Sequence, residues 1–450
     1  MSDYMFMLEN HLSAIQNRIV AEVQATAAHA GVNLFLTGGA VRDMLGGFPI
    51  RDLDFTVEGN PVKLAKVLEA KAGAKVVAVD EHRRSVELMF AGGATAEIAM
   101  ARQERFPKIG ARPVIAPATI QEDLRCRDFT INSIALSLNQ ASLGLLLDPN
   151  NGLADLEHKE LRAVHNRVLY DDPGRLLRLL RFQVRFGFTV EERTQHQYEN
   201  VRLEELEKHI AGRRLFEELK QIAEETSPGE VLQSLAKEKL LGLFSPSLAG
   251  PKLNLAGFAR LQKAKQLAPF GVDLRVNSLA LFLYLLLEKF SPKEKADFAK
   301  ATSMAKAELD LVPKLAAGAR KIEKELKAAK IRKASQIYAI LAKAPGEEIL
   351  FLYLTSAQRL VQDRIRNYLQ KYLPAAQEVT DKQVAALGLE PGTAKFKKAK
   401  EEMIATRVDN RVKKTEAPAA EAEPAPAAEH LRQHQPGRIG RPPVSSQAHP

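Results

Sequence analysis

Two acidic residues, Asp52 and Asp54, follow a glycine pair, Gly38 and Gly39, near the start of the chain. On a strand, residues two apart point to the same face, so the two carboxylates should lie side by side. They repel each other unless a cation lies between them, and Mg²⁺ prefers a few carboxylate oxygens together with substrate phosphates. The spacing predicts a magnesium site for in-line displacement at phosphorus. The alternative is a solvated strand end capped by Arg51.

The glycine pair ends one predicted strand and opens a predicted helix. Without side chains, Gly38 and Gly39 let backbone N–H groups approach a phosphate, and the helix amino terminus adds favourable charge. Arg42, one turn into that helix, is placed to reach the same anion. A glycine turn alone is more often structural. The aspartates downstream make a phosphate cradle the better interpretation.

These residues lie in a predicted mixed α/β unit that ends near Leu147. A helix is predicted over Leu8–Ala28 and another over Pro61–Ala72. The stretch Arg102–Ile120 contains three prolines and a glycine and is predicted to be a long loop. The sequence pattern predicts five short strands, at Asn33–Thr37, Asp52–Val57, Lys75–Val79, Val86–Phe90 and Thr95–Met100.

From residue 153 onward the strand pattern nearly disappears, and helices are predicted as far as Ala405. The earlier ones cover Asp172–Phe186, Leu203–Ile210, Arg214–Glu225 and Gly229–Leu241. After Lys414 the composition changes to Ala, Pro, Glu and Gln, which predicts disorder. The fold class is therefore α+β. We divide the chain into a head (1–150), a helical neck (151–225), a helical body and tail (226–413) and a disordered tail (414–450).

Composition and charge narrow the setting. The chain has 65 Lys and Arg against 55 Asp and Glu, a net charge of +10, which fits an anionic partner such as nucleic acid. The one cysteine, Cys126, cannot form an intrachain disulfide and favours a reducing compartment. The amino terminus lacks the order of a signal peptide. The longest apolar run, Leu279–Leu287, is shorter than the ~20 residues of a membrane span. We expect a soluble cytoplasmic protein.

Four motifs in continuous order carry a resemblance to a known family. They are Gly-Gly-x-Val-Arg-Asp followed by Arg-Asp-x-Asp-Phe, then Arg127–Ala135, Asp148–Leu156 and Asp171–Phe182. Residues 33–225 thereby resemble the bacterial and eukaryotic class of tRNA nucleotidyltransferases and poly(A) polymerases, in the polymerase-β-like superfamily. The resemblance implies a nucleotidyltransferase head and a helical neck, body and tail. It implies Mg²⁺-dependent transfer of CMP and AMP from CTP and ATP to the tRNA 3′ end. Arg127 would contact the incoming nucleotide.

The last motif matches the helix that selects the nucleotide in this family. Asp172 is a hydrogen-bond acceptor and Arg175 a forked donor, so together they can imitate a Watson–Crick partner for cytosine or adenine. Guanine and uracil would leave buried groups unpaired, at about 1–3 kcal/mol each. The resemblance assigns Arg178 and Arg181 to the triphosphate or to stacking. A solvated basic helix face is the alternative.

Glu97, on the strand Thr95–Met100, is the third candidate for the metal site, because relatives often have an acidic residue there. Strand alternation leaves open which face it occupies. In the family, a flexible loop at residues 102–120 helps the switch from C to A addition, and Gly110–Pro113 is similar to part of its usual form. Cys126 stands where many relatives have Arg.

We therefore predict a CCA-adding enzyme that acts on the tRNA 3′ end with no membrane association and no obligate protein partner. A poly(A) polymerase or a specialised CC- or A-adding enzyme shares every motif and stays open. A non-catalytic RNA-binding relative is the alternative from another class. No His-Asp pair occurs in the carboxyl half, so the phosphohydrolase domain fused to some relatives is expected to be absent.

Overall fold

The computed structural model describes residues 3–329 and 331–416. The first 150 residues form the mixed unit that the strand pattern predicts. Its five helices are α1 Asp3–His11, α2 Ala14–Ala30, α3 Gly38–Leu45, α4 Pro61–Ala72 and α5 Ile120–Arg125. Its nine strands are β1 Asn33–Thr37, β2 Leu53–Glu58, β3 Lys75–Asp80, β4 Ser85–Met89, β5 Thr95–Met100, β6 Arg102–Arg105, β7 Val114–Pro117, β8 Ala135–Ser137 and β9 Leu146–Leu147.

Seven of these strands form one sheet in the order β3-β4-β5-β2-β1-β8-β9. β2 and β5 pair in parallel, with Asp54 opposite Glu97, and the other neighbouring pairs are antiparallel. The buried faces of β1 and β2 carry Leu36 and Phe55, which are both 1% exposed or less. Helices α2 and α4 cover this apolar side, and the polar ends of β2 and β5 are left at the opposite face.

Two local predictions in this unit are wrong. The predicted helix Leu8–Ala28 is two helices, because Ser13 accepts a hydrogen bond from the Gln16 N–H and starts α2 with a capping box. The predicted loop 102–120 contains a hairpin, β6–β7, followed by the capped helix α5. Its prolines lie at the strand end and in the connection, where a missing N–H is tolerated.

The remainder is helical, as predicted, apart from the two-residue strands β10 Glu160–Leu161 and β11 Thr189–Val190. The first part contains α6 Gly152–His158, α7 Val168–Asp171, α8 Arg175–Phe186, α9 Glu192–Leu203, α10 Gly212–Ala223 and α11 Pro228–Lys237. The predicted helix Leu203–Ile210 is wrong: α9 ends where it was to begin, and a short 3₁₀ turn, Leu206–His209, follows.

The second part contains α12 Leu255–Lys265, α13 Ser278–Leu287, α14 Pro292–Ala301, α15 Lys306–Leu309, α16 Leu311–Leu326, α17 Ala334–Leu341, α18 Gly346–Thr355, α19 Arg359–Asn367, α20 Leu373–Gln377, α21 Asp381–Ala385 and α22 Ala394–Glu416. Helix α22 continues past the predicted start of the disordered tail, and residues 417–450 lie outside the described residues. One apolar core runs from the head sheet into these helices. Every helix of the described chain is too short or too polar to span a bilayer.

Candidate active site

The glycine turn, which follows β1, meets the start of β2 at one edge of the head sheet, where these two central strands end and begin. The Gly39 N–H donates a hydrogen bond of 3.3 Å to Asp54 Oδ2. Gly38 has φ +60°, and a Cβ there would lie 3.3 Å from both Asp54 Oδ2 and Arg127 Nη1. The turn therefore needs glycine for its backbone conformation and for the close approach of Asp54.

Three carboxylates on neighbouring strands, those of Asp54, Glu97 and Glu87, face the same side of this edge. The register places Glu97 of β5 beside Asp54, which answers the question that strand alternation left open. Glu87 of β4 lies opposite Glu97 on the next strand and continues the acidic row. Asp52 lies just before β2 begins, close enough for its charge to act on Asp54.

The charges of this row are not balanced within it. Burial, followed by Glu97 and Asp52, raises the pKa of Asp54 to about 7, against the opposing charge of Arg127. Burial also raises the pKa of Asp52, against Arg51 and Arg185. A divalent cation would relieve this repulsion.

The row fits a metal that is shared with a substrate. Within residues 3–329 and 331–416 no three His, Cys, Asp or Glu side chains form a complete metal site of their own. Mg²⁺ often takes only one or two carboxylates and completes its shell with phosphate and water. Asp54, with Asp52 and Glu97 beside it, supplies that incomplete donor set.

Arg127 lies where the sequence predicts a nucleotide contact. Its guanidinium donates to Asp123 Oδ2 at 2.8 and 2.9 Å and to Thr56 Oγ1 at 3.2 Å, against Gly38. Burial alone would lower its pKa, but Asp123 and Asp54 hold it above the usual value. A fixed cation therefore stands at the glycine turn.

Arg42 lies beside the glycine turn, where the sequence predicts it, but its guanidinium is bonded inside the protein. It is 4% exposed, and its guanidinium donates to Asp43 Oδ1 and to Asn132 Oδ1, at 2.8 and 2.6 Å. The guanidinium also lies over the ring of Phe186, 4.9 Å from its centroid. It lies close behind Gly39, so it can add positive potential to the turn, but its donors are occupied inside the protein.

The four residues of the predicted selecting helix have three different surroundings. Asp172 and Arg175 lie together at the start of α8, with Arg175 Nε 3.7 Å from Asp172 Oδ2. Arg181 is 2% exposed and bonds to Glu218 and Glu225 at 2.6 and 2.8 Å. It does not reach the nucleotide side, so the structure does not support the predicted triphosphate or stacking role.

Arg178 is paired inside the protein like Arg181, but its side chain is partly exposed. Its Nη1 donates to Asp128 Oδ2 at 2.5 Å, and its side chain is 31% exposed. Burial alone would raise the pKa of Asp128, but Arg178 and Arg175 hold it well below its usual range. Arg178 thus joins the Arg127 motif to α8, and one face of it stays open to solvent.

The β6–β7 hairpin lies against Asp172 and Arg175, the two residues predicted to select the base, and the sequence does not predict this contact. Glu104 of β6 lies 3.7 Å from Arg175, and Arg214 of α10 bonds to Asp172 at 3.2 Å. At the hairpin tip, a Cβ on Gly110 (φ +66°) would lie 2.6 Å from the His209 carbonyl oxygen. Glycine is therefore required where the hairpin docks. Glu104 and Arg214 are far from Asp172 in sequence, so no local pattern could identify them.

The glycine turn and the acidic row lie in a part of the chain that matches a known family model. Residues 34–162 match the family model described as the poly A polymerase head domain. The predicted resemblance to tRNA nucleotidyltransferases and poly(A) polymerases is confirmed, and so is the α+β fold class. Enzymes of this family generally use divalent metal ions.

Among curated proteins, the chain is 35% identical over 258 residues to the A-adding tRNA nucleotidyltransferase of Halalkalibacterium halodurans, covering 55% of this chain and 60% of the relative. It is 39% identical over 152 residues to the CC-adding tRNA nucleotidyltransferase of Deinococcus radiodurans, covering 34% and 40%. The chain thus spans 60% or less of the length of these relatives.

A solved tRNA nucleotidyltransferase, complexed with a primer tRNA and an incoming ATP analog, has 28% sequence identity and a TM-score of 0.50. The match covers 78% of this chain and 98% of that one. An apo CCA-adding enzyme has a TM-score of 0.54 at 24% identity, with 91% and 95% covered, and it supports the fold alone.

Proposed function

We propose that this chain adds CMP and AMP, taken from CTP and ATP, to the 3′ end of tRNA without a nucleic-acid template. The observation that carries the proposal is the unbalanced acidic row at Asp52, Asp54 and Glu97 beside the Gly38–Gly39 turn. Phosphoryl transfer needs positioning and charge stabilisation more than covalent chemistry, and this edge of the sheet offers both.

Asp52 and Asp54 would hold Mg²⁺, and Glu97 would complete the acidic site. The bound metal would activate the RNA 3′-hydroxyl and neutralise the triphosphate. The Gly39 turn and Arg127 would orient the phosphates through N–H donors. The 3′-oxygen would bond to the α-phosphorus as pyrophosphate leaves, so that one phosphodiester forms for each anhydride broken.

Asp172 and Arg175 would read the base edge. Arg175 is 6% exposed and already lies between Asp172 and Glu104. An incoming base would replace these contacts with its own donors and acceptors. A base of the wrong polarity would leave the pair unsatisfied, and this cost provides the discrimination.

The helical half, residues 226–413 in our division, would bind the RNA, mainly through phosphates and helical shape. The net charge of +10 supports this part of the proposal. The neck, residues 151–225, would contribute nucleotide selection at its junction with the head.

A specialised A-adding enzyme is the second candidate. It is favoured by relatives from Aquifex aeolicus, Halalkalibacterium halodurans and Geobacter sulfurreducens, which carry that name. A poly(A) polymerase is a further alternative within the class. All would share the acidic row and the selecting pair.

The test supplies purified protein with Mg²⁺, CTP and ATP, and with three RNA primers. These are tRNA lacking its last three nucleotides, tRNA ending in CC, and unstructured oligoadenylate. Sequencing the products separates the candidates: CCA on the first primer supports the proposal, and A on the second primer alone supports an A-adding enzyme. Extension of oligoadenylate supports a poly(A) polymerase. Absence of incorporation on all three, with intact RNA binding, would indicate a non-catalytic relative.

A further inference from the structure

The connection between α12 and α13, residues 266–277, carries an aromatic ring in full contact with solvent. Phe270 is fully exposed, between Pro269 and Gly271, at the tip of the connection. Leaving a phenyl ring in water forgoes the free energy of burying it. An aromatic face held out in this way is the form that base-stacking platforms take.

The connection is braced on the carboxyl side of this tip. The Asp273 N–H donates to Gln377 Oε1 at 3.0 Å, and Gln377 Nε2 donates back to the Asp273 carbonyl at 2.7 Å. Arg275 Nη2 donates to the Gly92 carbonyl in the β4–β5 turn of the head at 2.8 Å. The ring is therefore presented from a connection fixed to both the head and α20.

An open hollow of about 390 Å³ lies at the base of the connection. Lys265 and Ser278, at the facing ends of α12 and α13, line it together with Phe270. Within the described residues, the Lys265 ammonium has one hydrogen-bond partner, Ser278 Oγ, at a long 3.4 Å. Burial lowers the pKa of Lys265, against the charge of Glu224. The Glu224 carboxylate is the anion whose charge reaches Lys265, and with one long hydrogen bond among the described residues the ammonium keeps donors for a phosphate as well.

The hollow lies beside the acidic row. Glu224, at the end of α10, is close enough to both Lys265 and Asp52 for each charge to act on its pKa. Arg51, the neighbour of Asp52, donates to the Glu224 carbonyl at 3.3 Å. Glu224 and Arg51 therefore connect Lys265, at the hollow, with Asp52 of the acidic row.

We propose that this hollow holds the single-stranded 3′ end of the RNA, with one phosphate on Lys265 and one base stacked on Phe270. The inference rests on the proposed function and assigns the primer side of the same site. A cation combined with an exposed ring is the chemistry of single-strand nucleic-acid binding. The bound nucleotides would lie upstream of the reacting 3′-hydroxyl.

The natural chain contains no tryptophan, so Phe270→Trp introduces the sole indole. Its fluorescence is titrated with an RNA hairpin that carries a single-stranded 3′ overhang, without nucleoside triphosphate. We expect quenching as a base stacks on the ring. Leu203→Trp is the matched control, because Leu203 is 82% exposed at the end of α9 and outside the hollow. A blunt hairpin of the same duplex is the second control, and neither control should quench.

Two further variants test the separate contributions. Phe270→Ala should raise KM for the RNA primer about tenfold, as expected for the loss of one stacked base, with KM for the nucleotide unchanged. Lys265→Gln, in the Phe270→Trp background, should flatten the slope of log Kd against log salt by about 0.7, the value for one phosphate of a single strand.

The outcomes separate this inference from the proposed function. If the wild-type chain incorporates nucleotides but Phe270→Trp shows no quenching, the inference fails and the proposed function stands. If overhang RNA quenches but nothing is incorporated, the proposed function fails instead. Equal quenching by the blunt hairpin or in Leu203→Trp would overturn the inference. So would a fluorescence change that depends on protein concentration and not on RNA, which would indicate contact with a second copy of the chain.

Discussion

The carboxylates at the edge of the head sheet and those beneath α8 differ in what faces them. Asp54 lies beside Glu97 in register, and acid faces acid. Glu218 and Glu225 both face Arg181, and each bonds to its guanidinium. The first region keeps an excess of negative charge, which a bound metal ion can neutralise. The second is balanced within the protein and joins two helices.

The same contrast separates the arginines. Arg127 lies at the acidic edge, and Arg175 lies beside Asp172. Arg181 belongs to the balanced layer, which consists of Arg181, Glu218 and Glu225. Arg185 extends that layer by bonding to Asp43 at 2.9 Å, and burial together with Arg42 lowers its pKa to about 10. Arg175 and Arg181 lie on one helix and both meet carboxylates, but the contacts of Arg175 are long, at 3.7 Å, whereas Arg181 is held by two short hydrogen bonds.

The largest expected effect is at the unbalanced region. Asp54→Asn should reduce incorporation of both CTP and ATP at least about thousandfold, because the metal loses its central carboxylate. RNA binding should stay near normal. Single-turnover incorporation and RNA titration check this. Near-normal turnover would remove the two-aspartate metal assignment.

The balanced region should respond in stability. Arg181→Met removes the cation bonded to Glu218 and leaves Glu225 with Arg51 at 3.2 Å and Arg185 at 4.0 Å. Breaking such a buried pair costs about 3–5 kcal/mol of unfolding free energy. Arg18→Met is the matched control, because the Arg18–Glu22 pair is exposed and should contribute less than about 1 kcal/mol. Denaturant unfolding measures both. An unchanged stability with altered nucleotide choice would mean that Arg181 acts at the nucleotide after all.

Arg175 tests whether an arginine of α8 that lies near carboxylates also contacts the incoming base. If it reads the base, Arg175→Ala should lower kcat/KM for CTP and ATP about ten- to a hundredfold, or ~1.5–3 kcal/mol, while UTP and GTP gain relative to them. Arg42→Ala is the comparison, because its guanidinium is bonded internally and should affect all four nucleotides in parallel. A parallel loss for Arg175→Ala would assign it to phosphate or structure.

A further prediction concerns the pH dependence of stability in metal-free protein. With its pKa raised to about 7 from 3.8, Asp54 stays protonated in the folded chain where the unfolded chain has already released the proton. Wild-type stability should therefore fall, relative to Asp54→Asn, as pH rises from about 4 to 7, and then level off. Melting temperatures in a chelator measure the difference. Mg²⁺ at pH 8 should restore wild type more than the variant, and a difference independent of pH would contradict the unbalanced row.

Several features follow from the sequence alone. Short runs of strand-forming residues predict β1 and β5 to the residue, and α4 lies between Asn60, which caps it, and Gly73, which ends it. The Gly38–Gly39 turn and the acidic pair are local as well, because their spacing determines which atoms can meet. Local backbone preference and strand periodicity suffice for such features.

Tertiary structure decided the remainder. Glu97 joins the acidic row because β5 pairs in parallel with β2, and no local pattern determines that register. Arg181 lies inside because its partners arrive on α10 and just beyond it, Glu218 being 37 positions away in sequence. The β6–β7 hairpin forms against the neck, where Gly110 meets the His209 carbonyl. A basic face on one helix looks the same in sequence whether it meets solvent, phosphate or a buried glutamate, and only the packed chain brings that partner to it.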